Sequence, residues 1–210
     1  MADPDITGYK YTDANLSHAH GFLLPALFKI FEDDNLNTKD KKLFELGCGN
    51  GSTAHQLTSM GWDITGVDPA KEGIEQAKKK YPDLKLYSGS AYDDLSGQYG
   101  EFPIVLSFEV VEHVYAPRDY ARTLFKLVEK GGQAVISTPY HGYFKNLALA
   151  VTGKMDNHFT ALWDHGHIKF WSEKTLRELL EEAGFENIRF VRVGRIPALA
   201  RSMIAIADKS

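Results

Sequence analysis

Short apolar runs alternate with amphipathic stretches through the first two thirds of the chain. The apolar runs predict β-strands at about 42–46, 63–67, 84–88, 104–108 and 133–138. Between them, apolar residues at helical spacing, bounded by turn residues, predict helices at about 52–60, 70–80 and 117–129. Repeated alternation of strands and helices predicts an α/β fold with a doubly wound parallel sheet.

A helix and a polar linker are expected before the first strand. The segment 16–31 has apolar residues at helical spacing, and Pro25 inside it predicts a kink or two shorter helices. The segment 33–42 is polar and reads as a linker. We expect one domain over 1–210, with a helical cap over 1–40.

The alternation stops over 139–169 and resumes afterwards. A connection of this length is typical of a lid or a binding loop, so we interpret 139–170 as a lid insertion. Ser172 is a good N-cap for a helix that ends near Gly184. Two strands are expected after it, at about 185–193 and 199–207, antiparallel to their neighbours and extending the sheet to seven strands.

Composition narrows the class of protein. The chain has 210 residues, of which 43% are hydrophobic and 25% charged, as in an ordinary globular domain. Its net charge of −4 provides no basic surface for nucleic acid, so nucleic acid is not expected as a partner. The single cysteine, Cys48, leaves no internal disulfide and favours a reducing compartment. With a polar start and no run near the roughly 20 apolar residues of a spanning helix, we expect a cytoplasmic location.

A glycine-rich turn follows the first predicted strand, in the run L-F-E-L-G-C-G-N-G over 43–51. Gly47, Gly49 and Gly51 allow backbone to approach a ligand closely, and Asp68 ends the next strand, where it can accept hydrogen bonds from ribose hydroxyls. The pattern indicates a nucleoside cofactor. No Gly-Lys-Ser/Thr follows, as a phosphate-binding loop would need.

Two residues at this turn weigh against a dinucleotide. Ser52 stands where the third glycine of the dinucleotide fingerprint belongs. Glu45 precedes the glycines, and its carboxylate would repel a pyrophosphate but suit a cofactor that carries a cationic amino group and a sulfonium. A nicotinamide-dependent oxidoreductase therefore remains only as an alternative.

The run E-L-G-C-G-N-G with Asp68 resembles motif I and the acidic loop of the class I S-adenosylmethionine-dependent methyltransferases. The segments F-P-I-V-L-S-F-E-V-V-E-H-V over 102–114 and G-G-Q-A-V-I-S-T-P over 131–139 resemble that family's strand-four and strand-five motifs. The resemblance covers about 41–139. It implies a Rossmann-like methyltransferase fold with a seven-stranded, mostly parallel sheet, helices on both faces and an antiparallel C-terminal strand.

The resemblance also implies a site for S-adenosylmethionine. Its expected residues are Tyr11, Glu45, Gly47, Gly49, Gly51, Asp68, Pro69, Ser90, Ala91 and Phe108. Glu45 and the glycines would line the methionine part and Asp68 would hold the ribose hydroxyls. Pro69 would cover one face of the adenine, and Ser90 stands where the family often has an acidic residue that reaches the adenine amino group.

The run E-V-V-E-H gives the candidate chemistry. In a helical turn, Glu109, Glu112 and His113 would lie at i, i+3 and i+4 on one face, where they could bind a divalent cation such as Mg²⁺. His113 is also a candidate catalytic base. The run resembles that of the ubiquinone-biosynthesis O-methyltransferases, which act on polyprenylated catechols and in which it is implicated in divalent-ion use. The alternative is a scaffold role without metal.

The predicted lid carries an apolar stretch, L-A-L-A-V-T-G, with Phe159 and Trp163 nearby. Apolar residues over 143–165 would accept a hydrophobic substrate or contact a membrane surface, or they would only close the site. The sequence thus predicts a small-molecule O-methyltransferase whose acceptor is a lipophilic phenol or quinone precursor. Methylation of a sugar or a carboxylic acid, and a catalytically silent cofactor-binding module, stay open. No oligomeric state is predicted.

Overall fold

A computed structural model describes residues 15, 19–33, 41–159, 161–163 and 166–210. Its centre is one seven-stranded sheet of order β3-β2-β1-β4-β5-β7-β6. The strands are β1 Lys42–Leu46, β2 Asp63–Asp68, β3 Lys85–Ser88, β4 Phe102–Phe108, β5 Val128–Pro139, β6 Glu186–Val193 and β7 Ser202–Asp208. The first five are parallel, and β7 runs antiparallel to both β5 and β6. The predicted fold class is confirmed.

Eight α-helices connect or cap these strands in the described part of the chain. They are α1 His20–Asp33, α2 Ser52–Ser59, α3 Lys71–Lys80, α4 Leu95–Tyr99, α5 Pro117–Leu127, α6 Tyr143–Val151, α7 Met155–Phe159 and α8 Glu173–Ala183. A short 3-10 turn, Pro197–Leu199, lies between β6 and β7.

The sheet is buried on both faces, which explains the continuous apolar runs of its strands. Along β4, Ile104 and Leu106 pack into one core with apolar residues of α1, α2 and α3. Val105 points the other way, into a second core with apolar residues of α5 and α8. Glu45, in the otherwise apolar β1, is 2% exposed, so this strand buries a carboxyl group near its end.

The strand order creates the crevice in which a ligand would lie. From β1 the chain moves outward through β2 to β3, then returns to the other side of β1 for β4. Connections therefore diverge between β1 and β4, and in open α/β sheets such a switch point is where ligands bind, outside the carboxyl ends of the strands.

Four elements differ from the sequence-based expectation. Helix α4 was not predicted, and α6 and α7 lie within the segment for which no regular structure was expected. Pro25 lies inside one continuous helix rather than between two. Gly21, whose carbonyl the missing Pro25 N–H would have bonded, is exposed, so water satisfies it at little cost.

Candidate functional site

The glycine turn lies at the switch point, between β1 and α2, and is held by the neighbouring strand. The N–H groups of Gly47 and Cys48 donate to the Val67 carbonyl at 2.8 and 3.0 Å. Gly47 has φ +87°, and a Cβ there would come 2.3 Å from Cγ2 of Val110. This position therefore requires glycine for both backbone conformation and space.

Asp68, at the end of β2, ties the turn to the start of α3. Its carboxylate is 6% exposed, and its oxygens Oδ2 and Oδ1 accept hydrogen bonds from the N–H groups of Gly49 and Ala70, both at 2.8 Å. A carboxylate offers about four lone-pair sites, so one carboxylate can accept from backbone N–H groups and from hydroxyl donors alike. Asp68 is thus positioned both to shape the turn and to accept from a ligand.

Glu45 is a buried carboxyl group beside Asp68. Burial raises its pKa well above the usual value, the charge of Asp68 raises it further, and a hydrogen bond with Thr53 opposes both. Among the described residues its Oε2 atom has no hydrogen-bond partner. An unsatisfied buried acceptor next to a second carboxylate suits a cationic ligand group and repels a pyrophosphate.

The remaining predicted cofactor residues line the same edge of the sheet or fall outside the described part. Pro69 is exposed directly after Asp68, and Phe108 is largely buried at the end of β4. Ser90 and Ala91 follow β3 and are half-buried. The Ser90 N–H donates to Asp93 at 2.7 Å, so that carboxylate is engaged in its own turn. Tyr11 lies outside the described residues.

The three residues of the E-V-V-E-H run do not share one helix face, contrary to the expectation. Glu109 has φ +53°, and 111–113 form a turn rather than a helix. The reason is that β5 holds Glu109: its N–H donates to the Ser137 carbonyl at 3.1 Å, and Ser137 Oγ donates to its Oε1 at 2.8 Å. Glu109 is therefore held by β5 and is not among the possible metal ligands that cluster around Glu112 and His113, although its charge still acts on Glu112.

Glu112, His113 and His167 form the group that could hold a metal. Their potential ligand atoms all lie within 4.8 Å of one another. Glu112 is 1% exposed and neither of its carboxylate oxygens has a hydrogen-bond partner in the described part of the chain. His113 Nδ1 donates to the Gly166 carbonyl at 3.1 Å, and a hydrogen bond of this kind orients the ring of a metal-binding histidine.

The pKa values of two of these groups are shifted, and a bound cation would favour the deprotonated form of both. Burial, followed by the charge of Glu109, raises the pKa of Glu112 well above its usual value. Burial, followed by the charges of His113 and His158, lowers the pKa of His167 to about 4. One carboxyl group and two imidazoles are a ligand set that divalent transition metals accept, so the residues present fit a cation.

Sequence reasoning missed His167, because it lies 54 positions from His113 and no local spacing connects them. Backbone contacts hold His167 close to Glu112. The N–H groups of Ile168 and Lys169 donate to the Glu112 carbonyl at 2.9 and 3.0 Å. The Trp171 indole N–H donates to the Val111 carbonyl at 3.1 Å and fixes the end of the lid on the same turn.

Comparisons with known proteins agree with this geometry. A family model described as "Methyltransferase domain" matches residues 16–189. The ubiquinone biosynthesis O-methyltransferase of a Caulobacter species is 33% identical over 134 residues, covering 61% of this chain and 53% of that protein. The enzyme of the same name from Cereibacter sphaeroides is 29% identical over 154 residues, covering 70% of this chain and 61% of that protein. The chain thus spans less than two thirds of the length of these relatives.

Solved structures share the fold. A Thermotoga maritima protein described as a SAM-dependent methyltransferase, possible histamine N-methyltransferase, superposes with a TM-score of 0.61 at 17% identity. The superposition covers 90% of this chain and 97% of that one. The predicted resemblance to methyltransferases is confirmed at the level of the family. The chain belongs to the methyltransferase domain family.

Proposed function

We propose that this domain transfers the methyl group of S-adenosylmethionine to an oxygen atom of a small lipophilic phenol or quinone precursor. The observation that carries the donor half of the proposal is the unsatisfied carboxylate of Glu45 beside Asp68, at the switch point of a methyltransferase fold. The acceptor half rests on the similarity to relatives named ubiquinone biosynthesis O-methyltransferase.

The chain would bind the donor with fixed groups at the carboxyl ends of β1, β2 and β4. In this proposal Glu45 pairs with the methionine ammonium, Asp68 accepts from the ribose hydroxyls, and the glycine turn allows the backbone to approach. Pro69, Ser90, Ala91 and Phe108 contact the adenine. The donor brings its own leaving group, so the protein mainly aligns acceptor, methyl group and sulfur.

A phenol must lose its proton to become a good nucleophile. Glu112, His113 and His167 would hold a divalent cation here, and such a cation would supply a lower pKa to a hydroxyl that it contacts. Glu109 is left out of the ligand set, because its carboxylate accepts from Ser137. If no cation is used, His113 is the candidate base.

An acceptor with an apolar tail favours contact with a membrane surface. Phe144, Leu147 and Val151 are exposed on α6 at i, i+3 and i+7, so they form one apolar stripe. None of the helices in the described part of the chain is long and apolar enough to cross a membrane. We propose a peripheral contact with a membrane surface through this stripe.

Co-sedimentation with lipid vesicles tests this contact. We expect Phe144→Ser to lose co-sedimentation and Lys130→Ser, an exposed control, to keep it.

The donor site is tested with Asp68→Ala. We expect loss of adenosylhomocysteine binding by isothermal titration calorimetry and loss of methyl transfer from labelled adenosylmethionine to a prenylated catechol. Asp63→Ala is the matched control, since Asp63 lies at the opposite end of β2, where it pairs with Lys85 on the surface. Normal binding by Asp68→Ala would show that the site assignment is wrong. Cofactor binding without transfer to any catechol would favour the silent-module alternative.

The cation is tested by chelation and by Glu112→Gln. Activity should fall on treatment with EDTA, return with Mg²⁺ or another divalent ion, and be low in the variant at every metal concentration. Activity that neither chelation nor Glu112→Gln changes would contradict a role for the cation and leave His113 as the candidate base.

The alternative of a nicotinamide-dependent oxidoreductase has no support left, because Glu45 opposes a pyrophosphate and the family is that of methyltransferases.

A further inference from the structure

A cavity of about 350 Å³ lies between α6 and the connection from β6 to β7. Five of its lining residues are basic: Lys145, Lys154, His158, Arg195 and Arg201. No acidic residue lines it among the described residues. In a chain of net charge −4, such a concentration of positive charge is a local feature rather than a consequence of composition.

Lys145 is the buried member of this group. It is 9% exposed, and its Nζ atom donates to the Arg201 carbonyl at 3.1 Å. In the described part of the chain it forms no ion pair within 4.0 Å. Burial, followed by the charge of Arg195, lowers the pKa of Lys145 to about 8, although the charge of Glu109 opposes this. A buried ammonium group that has no carboxylate within ion-pair distance is costly, and an anion in the cavity would offset that cost.

Arg195 and Lys154 add exposed charges at the rim that make no ion pair with a described residue. Arg192, three residues before Arg195, shows the contrast, since its guanidinium is bound to Glu173 at 2.6 and 3.1 Å. A guanidinium fork and two ammonium groups are the donors that carboxylate and phosphate oxygens prefer.

The cavity adjoins the candidate acceptor site. Ser202, the residue after Arg201, pairs with Pro139 at the carboxyl end of β5. Glu109 is close enough to interact with both Ser202 and Lys145. Ala148, Leu149 and Leu199 add apolar lining. A ligand that filled the cavity would therefore have an acidic group, an apolar part and a second end near Glu109.

We infer that this cavity binds a carboxylate or phosphate group of the methyl acceptor, so that the acceptor is an acidic phenol rather than a neutral one. The inference rests on the proposed function for the identity of the ligand as acceptor. Lys145 supplies the buried contact, Arg195 and Lys154 supply the contacts at the rim, and the hydroxyl to be methylated lies toward Glu109 and Glu112.

The test compares catechol with protocatechuate, a catechol that carries a carboxylate, on the full chain with adenosylhomocysteine bound. We expect protocatechuate to bind at least about tenfold more tightly than catechol by isothermal titration calorimetry. Arg195→Gln and Lys154→Gln should each reduce this preference several-fold. Lys130→Gln is the matched control, because it removes the same charge from an exposed residue near the start of β5, at the end of the strand opposite to the carboxyl end.

Inorganic phosphate separates an acceptor subsite from a site for free anions. Phosphate should compete with protocatechuate and not with catechol. Equal binding of the two catechols by the wild type, or a preference that Arg195→Gln leaves intact, would overturn the inference, whereas methyl transfer to catechol would still support the proposed function. Phosphate binding without any preference for protocatechuate would indicate a free-anion site and would also overturn it.

The outcomes for the two proposals differ. Arg195-dependent binding of protocatechuate, together with no methyl transfer to either catechol, would support the cavity and contradict the proposed function. Lys145→Met serves only as a supplement, since removing a buried residue could unfold the protein, while Arg195 and Lys154 are exposed and can be replaced safely.

Discussion

At the scale of single residues, the most informative observation is a buried carboxyl group, one oxygen of which has no hydrogen-bond partner in the described part of the chain. Glu45 is buried in β1, its pKa is raised by burial and by Asp68, and one of its oxygens has no hydrogen-bond partner among the described residues. A buried charge of this kind lowers stability, so its presence is best explained by a ligand.

Glu45→Gln should therefore change binding and stability in opposite directions. We expect adenosylhomocysteine affinity to fall about 10- to 100-fold, because a charge-assisted contact is lost. The melting temperature of the free protein should stay the same or rise, because an uncompensated buried charge is removed. Calorimetric titration and thermal unfolding measure the two effects.

Glu75→Gln is the control for this prediction, since Glu75 is an exposed carboxylate on α3. It should leave both binding and melting temperature unchanged. A Glu45→Gln variant that loses stability together with affinity would indicate a structural role for Glu45 and would weaken the donor assignment.

At the scale of elements, the sequence predicted a helix boundary correctly where residues next to the helix end fix that boundary. Ser172 was expected as an N-cap, and its Oγ atom accepts from the Thr175 N–H at 3.3 Å, while Thr175 Oγ1 accepts from the Ser172 N–H at 3.1 Å. Gly184 closes the same helix with φ +108°. These contacts connect residues three or fewer positions from the helix ends, so the sequence contains them.

Ser172→Ala should destabilise the protein by about 1 kcal/mol, because the Thr175 N–H at the start of α8 loses its acceptor, Oγ of Ser172. The free energy of unfolding from urea titration measures this. Ser59→Ala is the control, since Ser59 is exposed at the end of α2 and donates only to the Gln56 carbonyl. A loss in Ser172→Ala no larger than in Ser59→Ala would mean that the capping box contributes nothing.

Local signals failed where an element is fixed by its neighbours. The E-V-V-E-H run has helical spacing, but the pairing of Glu109 with Ser137 directs the chain into a left-handed residue and a turn. The lid helices α6 and α7 were also missed, since α6 is anchored by Lys145 to Arg201, 56 positions away. Contacts at that distance have no periodic trace in the sequence.

At the scale of the whole molecule, burial at the carboxyl edge of the sheet couples stability to pH. Burial, followed by the charges of Lys145, His158 and His167, lowers the pKa of His141 to about 4, while a hydrogen bond with Asn146 opposes the shift. The folded state thus keeps His141 neutral at a pH where the unfolded state binds a proton. The resulting contribution to stability is present above about pH 6.5 and is lost as the pH falls toward 4.

The raised pKa values of Glu45, Glu109 and Glu112 act in the opposite direction. These carboxyl groups gain protons in the folded state at a higher pH than in the unfolded state, so acidification relieves part of their cost. The pH dependence of the wild type is a sum of both effects, and one histidine variant is needed to separate them.

His141→Gln isolates the histidine contribution. We expect the variant to be less stable than the wild type at pH 7.5, since it loses packing, and the difference to shrink by up to about 3 kcal/mol by pH 4.5. Urea unfolding of both proteins at a series of pH values measures it. A difference that does not change with pH would show that His141 is not held neutral by the fold.

The sequence by itself determined the fold class, most strand positions, the glycine turn and the methyltransferase family. These depend on periodicity and on backbone conformations that neighbouring residues impose. The tertiary structure alone decided which side chains meet: His167 rather than Glu109 beside Glu112 and His113, and Lys145 beside Arg195 in one cavity. Those residues come from connections that leave different strands, and only the order of the strands in the sheet brings them to a common edge.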